Sequence, residues 1–175
     1  MQTKINVAQA FGVPGALFDL TPRRVDAVEV ATAVTIGGVA GVNTTTGAVG
    51  AMDSSTYTKF AGIFVRPHEA VNYGTGGVAL AASLAQPAGA TVQVCSMGRV
   101  IVNFTLTSTT EAGAAALTVA DGADIYVTAA GALTTTSTNN TLIGKAVVGI
   151  KAGSDGVSGA SSSWTKVQPI VLQLG

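Results

Sequence analysis

The chain has 175 residues and a mass of 17.3 kDa, with nine basic and nine acidic residues and a formal net charge of zero. Neutrality argues against partners that demand clustered Lys and Arg, namely nucleic acid and anionic membrane, and against ordinary disorder, which couples low hydrophobicity to high net charge. A compact protein of this size exposes roughly 7,800 Å², so its charges lie about one per 430 Å² apart, against roughly 180 Å² for an average composition. With a mean hydropathy of +0.48, the surface must be solvated by Thr, Ser, Asn and backbone. Such a surface favours association, and the expectation is a protein that works inside an assembly.

In chain order, residues 1–24 stand apart. Met1–Ala10 holds no continuous apolar core of a secretory signal before Gly12 and Pro14. The run Gln9-Ala-Phe-Gly-Val-Pro-Gly-Ala-Leu-Phe18 mixes large apolar side chains with helix breakers, and Pro14 and Pro22 push their predecessors toward extended backbone. An extended arm follows, which either wraps its own domain or reaches a neighbour; reaching is the expectation here. From Val25 to Gly175 the vocabulary is Val, Thr, Ile, Ala and Gly, which predicts one β-rich domain. Strands are predicted at Val28–Ile36, Phe60–Arg66, Thr91–Cys95, Arg99–Leu106, Ile125–Val127, Leu142–Ile150 and Ile170–Leu174. Turns are predicted at Thr46-Gly47, Ser96-Met-Gly98, Asp121-Gly122, Ala130-Gly131 and Asp155-Gly156. The one helix candidate is Val78–Ala85, stopped by Pro87, within an excursion near 71–90. The uncharged stretch Ala70–Gly98 is too broken by Gly and Pro to read as a membrane helix. Many short strands with glycine turns imply an all-β fold, an antiparallel sandwich or barrel of jelly-roll-like type.

A faint internal echo runs through this domain. Val42-Asn-Thr-Thr-Thr-Gly47 precedes Phe60-Ala-Gly62-Ile-Phe-Val65, and Val127-Thr-Ala-Ala-Gly131 precedes Ile143-Gly144-Lys-Ala-Val-Val148. The spacings are not a solenoid period, and hairpins in a Gly/Thr/Ala-rich chain resemble one another for compositional reasons alone.

Constellations for chemistry are weak. Gly74-Thr-Gly76-Gly-Val-Ala79 fits the dinucleotide fingerprint but lacks a buried strand before it, a long helix after it, and an acid until Glu111. Ser96 lacks the first glycine of a nucleophile elbow, and His68, the sole histidine, would have to serve any triad. Asp121 and Asp124 lack the further, closer oxygen ligands of a calcium loop, and an Asp-Gly turn explains Asp121 without chemistry. Cys95 is alone, which excludes a disulfide within the chain and reads as a small buried hydrophobe. No enzyme activity and no cofactor are expected. Arg23, Arg24, Arg66 and Arg99 read either as solvated charge, paired locally with Asp19, Asp26 or Glu69, or as polar anchors at an interface, where Arg is enriched.

Three blocks resemble the cement, or decoration, proteins of tailed-bacteriophage capsids. They are Gly12-Val-Pro-Gly15 with Thr21-Pro-Arg-Arg24, then Ala61-Gly-Ile-Phe-Val-Arg66, then Gln86-Pro-Ala-Gly89 through Gly98-Arg-Val-Ile-Val-Asn103. Asp121-Gly-Ala-Asp-Ile-Tyr-Val127 and the Gly131 hairpin are also similar. The resemblance implies a β-rich protein on the outer capsid surface of a virion, made in the bacterial cytoplasm. Its partner would be the major capsid protein, and it would act as a homo-oligomer, trimer before dimer, locking capsomers together. It transfers no defined binding residue. The expected interface residues therefore come from the arm and the arginines: Phe11, Pro14, Leu17, Phe18, Arg23, Arg24, Arg66 and Arg99, with Phe11, Leu17 and Phe18 filling neighbours' pockets. The alternative is a virion or cell-surface adhesin binding host glycans through Trp164, Tyr57, Tyr73 or Tyr126.

Overall fold

Alternating β-branched residues and glycine turns become strands nearly throughout the computed structural model, which describes residues 14–18, 22–66, 85–160 and 162–175. The elements are β1 (Arg24–Glu29), β2 (Val34–Thr35), β3 (Val39–Val42), β4 (Val49–Ala51), β5 (Lys59–Val65), β6 (Ala85–Gln86), β7 (Thr91–Ser108), α1 (Glu111–Ala116), β8 (Asp124–Val127), β9 (Leu133–Thr134), β10 (Thr141–Val148), β11 (Val157–Ala160) and β12 (Ser163–Leu174). The named strands pair antiparallel, in the order β4-β3-β5-β7-β12-β10-β8-β9, with β1 also on β7 and β11 also on β12. β2 and β6 form a separate ribbon. The fold is the antiparallel β-sandwich type expected.

The sheet order gives the sequence echo a physical basis. β3 pairs with both β4 and β5, and β8 pairs with both β9 and β10. Each hairpin turns through a left-handed glycine, Gly47 at φ 74° and Gly131 at φ 79°. In each unit the pairing also slips by one residue beside a glycine. Ala40 faces Gly62 while Gly41 faces Phe60; Leu142 faces Tyr126 while Gly144 faces Ile125. Both glycines sit where a Cβ would overlap a neighbouring carbonyl, that of Cys95 for Gly62 and that of Gln173 for Gly144. Two alike hairpin units thus flank the central pair β7 and β12.

Strand β7 serves two hydrophobic clusters. Val92 and Val94 pack with Val30, Val34, Ile36, Ala40 and Phe64, while Cys95, Val100, Val102 and Phe104 join the larger cluster with Ile63, Ile125, Ile170 and Leu172. Strict alternation would put odd-numbered Cys95 and even-numbered Val100 on opposite faces. The parity changes because the strand carries a bulge: Arg24 faces Met97 and Val25 faces Cys95, leaving Ser96 over. Gly98 at φ 125° completes the distortion. Ser96-Met-Gly98 is therefore a bulge inside one long strand and not the turn expected between two, because partner strands on both sides of the irregularity hold the chain extended.

Other boundaries also differ. Val28–Ile36 is not one strand: β1 ends at Glu29, residues 31–33 bend where Ala31 N donates to Val49 O at 2.9 Å, and β2 follows. β10 ends at Val148, and Ile150 forms an isolated bridge with Val119. Residues 78–84 of the helix candidate lie outside the described residues, whereas Ala85 belongs to β6. Helix α1 was not expected. Thr110 caps it, accepting from Gly113 N at 3.0 Å through its hydroxyl.

The described part of residues 1–24 is fastened to the domain. Gly15 N donates to Ile101 O at 2.8 Å, Ile101 N to Ala16 O at 2.9 Å, and Phe18 N to Arg99 O at 2.9 Å. Arg99 and Ile101 thus direct their backbone groups to this segment, on the edge of β7 opposite β12. Arg66 N also donates to Gly15 O at 2.9 Å. Leu17 bridges Val100 and packs against the larger cluster. Leu17, expected to fill a neighbour's pocket, is partly buried against its own domain.

Candidate functional site

Four strands lie side by side in the order β8, β10, β12, β7, and their register sets one row of polar residues across them. Asp124 faces Lys145, Lys145 faces Gln173, and Gln173 faces Arg99. Lys145 Nζ donates to Asp124 Oδ1, and this bond, with the carboxylate charge, raises the Lys145 pKa above the ordinary lysine value. Arg99 Nε donates to Gln173 Oε1 at 2.8 Å. Beside the row opens a groove of about 350 Å³ lined by Phe60, Ser96, Leu142, Gly144, Gln173 and Gly175, among others. It lies where β7 exchanges neighbours, from β5 opposite Cys95 to β12 opposite Gly98. Residues of all three irregularities line it: Ser96 of the bulge, Leu142 and Gly144 of one register slip, and Phe60 of the other.

Apolar exposure concentrates there. Leu142 in the groove is 55% exposed, and Met97, with its Cγ next to Gly175, is 43% exposed. Phe18, joined through its backbone to Arg99, is 40% exposed. Of the four large hydrophobic side chains exposed among the described residues, Leu142 lines the groove, Met97 lies next to Gly175 of its lining, Phe18 sits beside Arg99 of the polar row, and Val167 lies further along β12. Exposed large apolar side chains beside a groove are a feature that contact surfaces share.

Four of the eight residues chosen from sequence, Phe18, Arg23, Arg24 and Arg99, lie around the β7 bulge. Phe18 bonds the Arg99 backbone, Arg23 packs on Gly98, and Arg24 faces Met97. Arg24 also pairs with Asp26 at 3.2 Å with both side chains largely exposed, a contact worth at most about 1 kcal/mol. Pro14 packs against Gly37, and exposed Arg66 follows β5 and touches the same segment through Gly15. Phe11, Asp19, His68, Glu69, Tyr73 and the Gly74–Ala79 run lie outside the described residues. Leu142 and Met97 were missed. Leu142 opens a predicted strand whose local pattern does not encode the slip between Leu142 and Gly144, and Met97 falls in a predicted turn.

Other candidates resolve into structure. Cys95 is buried, burial pushes its thiol up, and Sγ donates to Met97 O at 3.2 Å across the bulge. Tyr57 is buried against Gly50, and Trp164, opposite Ser108, lies at the far end of β12 from the groove, so these aromatics form no shared platform with Tyr126 on β8. Asp121 and Asp124 do not act as a pair. Asp124 bonds Lys145, whereas Asp121 accepts from Gly149 N at 2.8 Å and Lys151 Nζ at 2.9 Å. The Gly149 amide first, and Lys151 second, hold the Asp121 carboxyl below the ordinary carboxylate value. With the folded pKa depressed, this tie is fully present above about pH 4 and disappears as pH falls through the folded value. An NMR titration should find the Gly149 amide shift constant from neutrality to about pH 4 and moving below it; a midpoint above the unfolded carboxylate value would contradict the arrangement.

Comparison with known proteins identifies the group to which this architecture belongs. No curated protein matches the chain. A solved structure described as "The capsid of Myoviridae Phage XM1" shares 16% identity over 96% of each chain, with a TM-score of 0.49. The family described as "Structural cement protein (E217 gp24/Pam3 gp6)" matches residues 1–168. A match over nearly the whole length, on a β-rich chain with sparse charge, settles its membership: this chain is one of the phage structural cement proteins.

Proposed function

We propose that the protein sits on the outside of the phage capsid and ties neighbouring capsomers of the major capsid protein together, with the groove corner as its contact face. The family match over residues 1–168 carries the reading: a cement protein is a capsid-bound structural component of the virion that stabilises the shell. The role is structural rather than enzymatic. Leu142, Met97 and Phe18 supply the apolar part of the contact, and Arg23, Arg24, Arg66 and Arg99 supply polar anchors around it. Apolar burial contributes roughly 25 cal/mol per Å² before the costs of ordering. A homo-oligomer, trimer before dimer, makes several such footholds act together, because the second contact is intramolecular. Phe11 and the residues before Pro14 are the reaching element, held at their base by the Gly15–Phe18 segment on β7.

Co-sedimentation with intact particles tests the whole. The protein is expected in near-stoichiometric ratio to the shell protein, with affinity changing less than about three-fold between low and moderate salt, because the apolar and main-chain contacts that dominate are not screened and only the arginine anchors at the rim are. Failure to co-sediment would refute the reading, and a steep salt dependence would refute the apolar account of it. Deleting Met1–Val13 is expected to leave the β fold intact and to remove most of the added heat resistance of decorated shells. A deletion variant that stabilises shells normally would show that the arm is not the reaching element. The cut stops before Pro14 because Gly15 and Ala16 hydrogen-bond to β7.

A further inference from the structure

Lys166 stands at an inward position of β12, in phase with Ile170, Leu172 and Leu174, and is 0% exposed. It is the one charged residue among the described ones that is buried. A buried ammonium is costly unless it is paired and hydrogen-bonded. Its Nζ faces three main-chain carbonyls, Lys151 O at 2.6 Å, Leu117 O at 2.9 Å and Ala115 O at 3.3 Å. Two of these come from the C-terminal end of α1, where helix geometry leaves carbonyls without intrahelical partners. The third comes from the connection between β10 and β11. Three acceptors around one nitrogen require three N–H donors, hence the ammonium form; a neutral amine would turn its lone pair on a carbonyl oxygen. Convergent main-chain oxygens around a single positive centre are also the coordination that proteins offer to hard cations.

We propose that the Lys166 ammonium is the resident cation of a carbonyl cage, bolting α1 and the β10–β11 connection to β12. It follows that the cage, when the side chain is shortened, is a binding site for a small primary alkylammonium ion. Lys166 faces Leu106, whereas the groove borders the Leu174 end of the same strand, some eight residues or roughly 27 Å away at the rise of a β-strand. The cage and the capsid contact are therefore separable by experiment.

The test compares Lys166→Ala with Lys166→Met in thermal unfolding. Lys166→Ala is expected to lower Tm by roughly 10 °C, and millimolar n-propylammonium, which replaces the missing methylenes and ammonium, is expected to restore at least about half of the loss. Neutral 1-propanol and bulky tetramethylammonium should restore nothing. Lys166→Met fills the stem without the charge and is expected to be destabilised and insensitive to propylammonium. A Met variant as stable as the parent, or equal rescue by propanol, would overturn the proposal. Should neither variant fold, nitrogen-15 NMR of the unaltered protein decides. A lysine ammonium signal in slow exchange at neutral pH, coupled across hydrogen bonds to carbonyl carbons, is expected, and its absence overturns the assignment.

Discussion

Replacing Met97 and Leu142 together by Asp should abolish capsid binding while leaving the fold intact. Both side chains stand exposed, at 43% and 55%, so the substitutions cost the monomer little, within about 0.5 kcal/mol each. At an apolar contact the outcome differs. Each carboxylate would be desolvated without a partner, at a cost of at least about 2 kcal/mol, and the combined loss is at least a few hundred-fold in affinity. The control is Val167→Asp. It is similarly exposed, at 39%, and lies on β12 away from the groove, so it should decorate normally. Co-sedimentation with shells and circular dichroism of the free protein read both halves. A double variant that decorates as well as the parent would move the contact face elsewhere.

Gly15→Val should detach the arm's base. Gly15 holds φ +80°, and a Cβ there would overlap Ile36 Cγ2 and lie 3.0 Å from Gly37 N and 3.1 Å from Phe64 O. A β-branched residue cannot adopt that backbone without strain of about 1–3 kcal/mol, and two of the three clashing neighbours are backbone atoms that cannot rotate away. Relief requires losing the Gly15 and Ala16 hydrogen bonds to Ile101 and the packing of Leu17. The total is about 3 kcal/mol, or a fall in Tm on the order of 10 °C. The Ile101 amide, which donates to Ala16 O, should exchange with solvent deuterium much faster than in the parent. Unchanged protection there, together with unchanged urea unfolding, would show that this clip does not hold the arm.

The β class and several strands were readable from period and turn chemistry alone. Phe60–Arg66 becomes β5 (Lys59–Val65), and Asp155-Gly156 turns the chain into β11 as expected. Sequence becomes silent where one signal has two meanings. Gly98 marks a backbone irregularity in either case, but whether it is a turn or a bulge depends on strands 24–29 and 163–174, which are remote in sequence. β3 and β4 are short and glycine-bearing, and Gly41 makes sense only once Tyr57 is seen lying against it. The proposed contact corner was half legible. The arginines and Phe18 could be chosen by residue type, whereas the exposure of Leu142 and Met97 arises from register slips that no local pattern encodes. Lys166 did carry a signal: in Trp164-Thr-Lys166-Val-Gln-Pro-Ile170 a cation occupies the inward parity set by Ile170, Leu172 and Leu174.

The unbroken pairing of β7 with β12, from Gly98 opposite Leu174 to Ser108 opposite Trp164, has a mechanical corollary. A tensile force drawn lengthwise through these two strands in opposite senses would load all their cross-strand bonds in parallel, as in shear. A force pulling them sideways would break the bonds one after another, as in unzipping. Single-molecule stretching from residues 98 and 174 should therefore rupture at lower force than stretching from 108 and 174, so the molecule resists tugging best along the direction of its longest strand.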